Sequence, residues 1–183
     1  MGTSSLSGAV RSDSVQIRRA LPEDAAGLAR LAARTFSDAF AADNTPDNLQ
    51  LHLDRSYGVP QQSAELADPS ITTLLAEVDG ELAGYAQITS GAVPECVEDE
   101  APLEIMRFYL DQAWHGRGVA QRLMSAAVEE SVRRGARTLW LGVWERNLRA
   151  IAFYGKCGFV STGSKIFCLG NDEQLDVVMV RLL

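Results

Sequence analysis

Only three cysteines and two histidines occur among the 183 residues, and no stretch approaches the ~20 consecutive apolar residues of a membrane span. Cys96, Cys157 and Cys168 are odd in number, widely spaced and without histidines close by, which is neither a disulfide framework nor a metal site. A reducing cytoplasm is the expected compartment. Basic residues are also few: 17 Lys and Arg stand against 24 Asp and Glu, a net charge of -7, which argues against nucleic acid as a partner because phosphate recognition needs Lys and Arg. The string GxxxxGK[ST] is missing, and GxGxxG is broken because Gly116 and Gly118 are followed by Gln121. Nucleotide hydrolysis and hydride transfer therefore lose support. There is no internal repeat and no low-complexity tract. The first fourteen residues, MGTSSLSGAVRSDS, lack the apolar core of a signal peptide and read as a disordered leader. Gly2 does not make a myristoylation signal, since Leu6 stands where Ser or Thr is required.

What remains is an ordinary globular composition, 46% hydrophobic and 22% charged, enough for one domain over residues 15–183. VQIRRA reads as a short strand. PEDAAGLARLAARTFSDAF places Leu28, Leu31, Ala32, Thr35 and Phe36 on one helical face, with Pro22 in the first turn and Leu21 where a capping Ser or Thr is usual. DNLQLHLDRSY makes a second helix and QQSAELAD another turn or two. ITTLLAEV and ELAGYAQITS are strands joined by Asp79-Gly80, a strong hairpin signal. LEIMRFYLD is an apolar run expected as a central strand. Val119, Leu123, Met124, Ala127, Val128 and Val132 then recur at helical spacing until Gly135. TLWLGVWE is a strand, NLRAIAFYGKCG a helix, and FVSTGSKIFCLG with QLDVVMVRLL a terminal strand pair. The order gives an α/β (α+β) fold, a mixed sheet with helices on its faces.

Between the central strand and the long helix lies WHGRGVAQRLM. Glycine costs conformational entropy, so two of them against a helix start suggest close approach of something to the backbone. The first N–H groups of a helix have no intrahelical partner, and the helix dipole adds partial positive charge, so the segment is an expected phosphate or diphosphate site. Arg117 and Arg122 would add charge. The bland reading is that Gly116 and Gly118 only make a tight turn.

Taken with WERNLRAIAFYGKCGF, this segment resembles the acetyl-CoA signature of the GNAT superfamily of N-acetyltransferases: a strand, then (Gln or Arg)xxGx(Gly or Ala) opening a helix, then an Asn before a helix that carries a Tyr. The matching residues are His115, Gly116, Arg117, Gly118, Val119 and Ala120, and then Asn147, Phe153, Tyr154, Gly158 and Phe159. His115 departs from the usual Gln or Arg, which leaves the backbone donors untouched. The resemblance runs from Val15 to Leu183 and implies the GNAT fold, a mixed sheet of about six to seven strands with helices on both faces. It implies acetyl-CoA as co-substrate and no metal. It also implies that a bulge in the central strand exposes backbone groups to the pantetheine arm; Phe108, Tyr109 and Leu110 occupy those positions, with the Leu110 N–H as candidate oxyanion donor. On the residues alone, without the resemblance, FYL reads as a plain buried strand.

Asn147 and Tyr154 lie seven residues apart, two helical turns, so they project from one face about 10 Å apart. The resemblance gives Asn147 a bond to the pantetheine or nearby backbone, and gives Tyr154 the proton for the departing CoA thiolate. A phenol of pKa about 10 stays protonated for that role at neutral pH. Asn147 is also a preferred helix N-cap, and Tyr154 also fits a core position. Glu104 is the first candidate for general base and Glu145 the second, each also readable as a solvated strand end. His52 reads as surface or packing. The cysteines have no visible His partner, which favours direct transfer in a ternary complex over an acyl-enzyme.

For the acceptor, Glu95, Glu98, Asp99, Glu100 and Glu104 form an acidic run beside the central strand, either a solubilising loop or a field for polycations. FAADNTPDNL, WHGRGVA and TLWLGVWERNLRAIAFY resemble the PaiA-like branch, which implies spermidine and spermine as substrates. A small-molecule primary amine is the expected partner, against a protein or peptide amine, or a non-catalytic acetyl-CoA sensor. A homodimer is common in the superfamily, and the terminal hairpin is the element that would build it.

Overall fold

The computed structural model describes residues 14–183, so the expected leader lies outside the described residues except for Ser14. Ser14 is paired to the β2–β3 turn: its N–H donates to Asp79 Oδ1 at 3.2 Å and its carbonyl accepts from the Asp79 N–H at 3.3 Å. The elements that follow are β1 (Val15–Arg19), α1 (Ala25–Phe40), α2 (Pro46–Ser56), α3 (Val59–Ala67), β2 (Ile71–Val78), β3 (Glu81–Thr89), β4 (Leu103–Leu110), α4 (Val119–Arg133), β5 (Thr138–Trp144), α5 (Leu148–Lys156), β6 (Val160–Leu169) and β7 (Asp172–Leu182). The strands form one seven-stranded sheet in the order β1-β2-β3-β4-β5-β7-β6. Every neighbouring pair is antiparallel except β4 and β5.

Local chemistry accounts for most boundaries. Asp79 and Gly80 take φ of 51° and 86°, the positive pair that a two-residue hairpin turn with native twist requires. At the start of α1 the missing cap at Leu21 is supplied from the other side. Asp24 Oδ2 accepts the Leu21 N–H at 2.7 Å and is itself held by Arg18 Nη1 at 2.7 Å. A short 3-10 turn at Pro22–Asp24 therefore precedes the helix. Thr45 caps α2, accepting from the Asn48 N–H at 3.4 Å. Gly135, at φ 83°, ends α4 with its N–H on the Val132 carbonyl.

Alternation along the strands sends side chains to two cores. Leu74, Ala76, Ile88, Leu103, Ile105, Leu139, Leu141 and Val143 pack against α4 and α5 on one face. Leu75, Tyr85 and Tyr109 pack against Leu28, Leu31, Ala32 and Phe36 of α1 and against α2 and α3 on the other. Inside this second face lies a buried polar knot. Arg107 Nη1 donates to Glu65 Oε2 at 2.5 Å and to Gln87 Oε1 at 2.7 Å, and its guanidinium sits 4.9 Å from the Tyr57 ring centroid. It pins β4 to α3.

Candidate active site

The parallel pairing of β4 with β5 covers only Leu103 with Leu139 and Glu104 with Trp140. Beyond that point the two strands diverge, and the sheet opens into a cleft. On its other side β4 carries a bulge: Arg107 pairs with Gln87 and Ile105 with Ile88, which leaves Met106 as the extra residue. The Asp111 N–H donates to the Ala83 carbonyl at 2.8 Å, so by antiparallel alternation the backbone groups of Arg107, Tyr109 and Asp111 serve β3. Those of Phe108 and Leu110 face the cleft. Tyr109 thus offers its ring and not its backbone. A cavity of about 440 Å³ fills the cleft and is lined from both faces of the sheet, by α1 on one and by α4 and α5 on the other.

On the α4 side the helix start is shaped by two left-handed glycines, Gly116 at φ 77° and Gly118 at φ 80°. The first intrahelical bond runs from the Arg122 N–H to the Gly118 carbonyl at 3.2 Å, so the amides of Val119, Ala120 and Gln121 precede it. Gly116, Gly118, Ala120 and Gln121 line the cavity. The Val119 side chain is buried in the core, so this residue offers only its amide. His115 turns back onto the strand, with Nε2 3.1 Å from the Leu110 carbonyl, and Arg149 Nη1 meets its Nδ1 at 3.1 Å. The turn is tied to α1 through Asp111, whose carboxylate accepts from Arg34 Nη2 at 2.6 Å and from the Ala113 N–H at 3.0 Å.

Helix α5 supplies the next wall, with Asn147, Ala150, Phe153 and Tyr154 facing the cavity. Asn147 Oδ1 caps the helix by accepting the Ala150 N–H at 3.1 Å, which leaves its amide nitrogen for other partners. Tyr154 is 8% exposed and packs edge-on against Phe108 and Phe159. Burial pushes its phenol well above the usual range, with the nearby Cys157 adding to the effect.

The α1 side has different chemistry. Phe36, Phe40, Trp144 and Phe167 make an aromatic wall, with Asp38 at the rim. At the floor Glu104 Oε1 accepts from Lys165 Nζ at 3.2 Å, and Asp176 stands beside them as the direct cross-strand partner of Lys165. Burial raises the Glu104 carboxyl while Lys165 pulls it down. Burial pushes Asp176 up to about 6, with Lys165 opposing and Glu104 reinforcing the shift. The Lys165 ammonium also lies 4.8 Å from the Trp140 ring centroid.

Glu104, Phe108, Tyr109, Leu110, His115, Gly116, Gly118, Ala120, Asn147 and Tyr154 therefore line this cavity, while Arg117, Val119, Arg122 and Glu145 do not. Arg117 stacks 5.2 Å over Trp114, and Arg122 Nη1 donates to the Val15 carbonyl at 3.1 Å, away from the cleft. Glu145 is exposed outside the cavity, which corrects its place as second candidate base. Of the acidic run only Glu104 reaches the cavity: Val97 anchors the loop on Trp140 and Val178, and Glu95, Glu98 and Glu100 point to solvent. His52 is a packing residue, 4.5 Å from Phe36 and 5.6 Å from Phe167. The three cysteines are free thiols. Lys165 and Asp176 were not legible beforehand, since neither sits in a motif. Among the described residues no group of His, Cys, Asp and Glu could hold a metal ion, and no helix is long and apolar enough to cross a membrane.

Comparison with known proteins agrees with this geometry. Residues 30–159 match the model of the Acetyltransferase (GNAT) family. An uncharacterized N-acetyltransferase of Lactobacillus delbrueckii subsp. lactis is 31% identical over 169 residues, covering 92% of this chain and 98% of the relative. The spermine/spermidine N(1)-acetyltransferase of Bacillus subtilis is 29% identical over 108 residues, 57% of this chain and 66% of that enzyme. The crystal structure of PaiA N-acetyltransferase from Thermoplasma acidophilum in complex with coenzyme A has the same fold, with a TM-score of 0.76 at 20% identity over 93% of this chain and 99% of that one. With a sheet opened between β4 and β5, a glycine-lined helix start beside the opening and a family match over most of its length, the chain belongs to the GNAT family of N-acetyltransferases.

Proposed function

We propose that the enzyme moves the acetyl group of acetyl-CoA to a primary amine of a small polycation such as spermidine or spermine, by direct attack in a ternary complex. The observation that carries this reading is a cavity that crosses the sheet, with phosphate-binding backbone at one face and carboxylates with aromatic rings at the other. The diphosphate sits on the amides around Gly116, Gly118, Val119 and Ala120, where the helix dipole favours negative charge. His115 and Arg117 border that site, His115 by holding the strand end and Arg117 by its charge. The pantetheine arm runs along β4, taking hydrogen bonds from the cleft-facing backbone of Phe108 and Leu110 and from Asn147, with Tyr109 closing the wall behind.

The thioester carbonyl then meets the Leu110 N–H, an oxyanion donor of a kind worth about 100- to 1000-fold in rate. Tyr154, kept protonated by burial, gives its proton to the CoA thiolate as the C–S bond breaks. The acceptor enters between Phe36, Phe40, Trp144 and Phe167, whose ring faces attract an ammonium group, and Glu104 draws that charge to the floor. Two features favour a polycation: the floor holds two carboxylates against one lysine, and Asp38 waits at the mouth for a second positive charge. The likeness to the Bacillus polyamine enzyme points the same way.

The test is mass spectrometry of purified protein with acetyl-CoA and a panel of amines, namely spermidine, spermine, amino acids and short peptides. Acetylated polyamine is the expected product. Acetylation of peptides alone would move the acceptor to a protein amine, and bound acetyl-CoA with no acetylated product would make the chain a sensor.

A further inference from the structure

Two carboxylates stand at the acceptor end of the cavity, and they are not equivalent. Glu104 is committed: one oxygen holds the Lys165 ammonium at 3.2 Å, and the lysine stem reaches there from β6 by crossing β7 and β5. Asp176 is 7% exposed and lines the same cavity, yet no hydrogen bond reaches its carboxylate among the described residues. Its Oδ2 lies over Gly142, only 2.9 Å from where a β-carbon there would stand, so the carboxylate is turned toward the opening between β4 and β5. It also lies beyond the end of the family match at residue 159, where no motif assigns it a role.

We infer that Asp176 is the group that takes the proton from the acceptor's ammonium, and that Lys165 is a positioning residue that keeps Glu104 ionised and engaged. This rests on the proposed amine acetylation. The charge count at the floor supports it: with Glu104 and Lys165 balanced, Asp176 carries the negative charge left there for an incoming cation, while Asp38 stands at the mouth. Lys165 from β6 and Glu104 from β4 act on it directly; the other charged groups that line the cavity are Arg107 from β4, Asp38 from α1, and His115 and Arg149 at the α4–α5 end, while β5 presents only Gly142, Val143 and Trp144. Arg107 is occupied by Glu65. A carboxyl raised to about 6 is a better base near neutral pH than an ordinary aspartate, since base strength rises with pKa.

In the step, the ammonium N–H bond breaks and its proton goes to an Asp176 oxygen. The freed nitrogen lone pair forms the C–N bond to the thioester carbon, and the C–S pair leaves on sulfur, which takes the Tyr154 proton. The second nitrogen proton passes through solvent to the Tyr154 phenolate, giving the neutral amide, and the Asp176 carboxyl then releases its proton to solvent, so amide, CoA thiol and one proton leave and both side chains return to their starting states.

The test uses spermidine as the acceptor probe and follows acetylspermidine by mass spectrometry from pH 5.5 to 10 for the wild type, Asp176→Asn, Asp176→Glu and Glu104→Gln, with acetyl-CoA affinity measured by calorimetry. Asp176→Asn should lower kcat/KM for spermidine by about 100-fold or more near pH 7. It should abolish the carboxylate limb of the pH profile, leave the acetyl-CoA Kd within about threefold, and recover toward the wild-type rate near pH 10, where the amine loses its proton unaided. Asp176→Glu should restore part of the rate. Glu104→Gln should raise the KM for spermidine and keep the limb. If Asp176→Asn keeps the limb and stays within about fivefold of wild type, or if Glu104→Gln is the variant that loses the limb, the assignment of Asp176 falls while amine acetylation stands. If the wild type binds acetyl-CoA and yields no acetylspermidine, the polyamine reading falls and this inference with it. Folding is not the weak point of the test, because burial disfavours the ionised form of Asp176 and a neutral amide at pH 7.5 removes that cost.

Discussion

A methyl group built on Gly142 would stand 2.6 Å from Lys165 Cε and 2.9 Å from Asp176 Oδ2, so this glycine is the notch through which the lysine crosses the sheet to Glu104. The atoms in the way are mobile side-chain ends, and the lysine can swing aside at little cost to the fold. Gly142→Ala should therefore lower kcat/KM for the acceptor by about tenfold, one pKa unit's worth of electrostatics at the floor. Acetyl-CoA affinity and Tm should barely move. A Tm drop of many degrees with acceptor kinetics intact would mean that the notch serves packing alone.

Tyr154 is buried among Phe108, Phe153 and Phe159, and its phenol stays protonated across the working range. Tyr154→Phe preserves this packing and removes only the proton. Turnover should fall by about 100-fold. The acetyl-CoA Kd, read by calorimetry, should stay within about threefold, because an interaction made only as the thiolate leaves does not tighten the ground state. Equal loss of affinity and rate would make Tyr154 a binding residue instead.

Gly118 and Gly135 flank α4 with nearly equal φ, 80° and 83°, and nothing stands within 4 Å of a β-carbon at either. Valine at each should cost a similar ~1–2 kcal/mol in left-handed strain. Only Gly118→Val places its side chain at the proposed diphosphate site, so only it should weaken acetyl-CoA binding, by tenfold or more. Equal affinities for the two variants would separate the helix start from phosphate binding.

Glu65 and Arg107 are both largely buried, and the pair has little water to fall back on. Glu65→Ala leaves a guanidinium without its carboxylate and should destabilise the protein by about 3–5 kcal/mol in urea titration. The double change Glu65→Leu with Arg107→Met should recover much of that loss, because two apolar groups leave no charge stranded. A single variant within 1 kcal/mol of wild type would mean that water enters the knot.

The sequence made plain what neighbouring residues decide. Asp79-Gly80 dictates its own turn, the α1 stripe from Leu28 to Phe36 dictates its own face, and the seven-residue step from Asn147 to Tyr154 puts both on one wall of the cavity. Leu21 shows the limit of that view, since its cap comes from Asp24 under the grip of Arg18, a bond across strand and turn. The acidic run shows it again: five acids in a row of ten residues announce a field, yet Val97 seats the loop on Trp140 and turns most of them outward. Asp176 was invisible for a topological reason. Within QLDVVMV it is one polar step in an alternating strand, and only the insertion of β7 between β5 and β6 brings it near Glu104. The bulge at Met106 is likewise a property of two strands, and LEIMRFYL alone carries no mark of it.

The divergence of β4 from β5 after two paired residues leaves this sheet one strand short along its middle. Whatever long molecule lies there, bonded to the backbone of Phe108 and Leu110, becomes part of the protein's own architecture, a borrowed strand between a four-stranded half and a three-stranded half. Its arrival would extend the joint between the two halves beyond the two residue pairs that already hold them together. On the proposed binding mode, the cosubstrate would be a structural member of the sheet for as long as it stays bound.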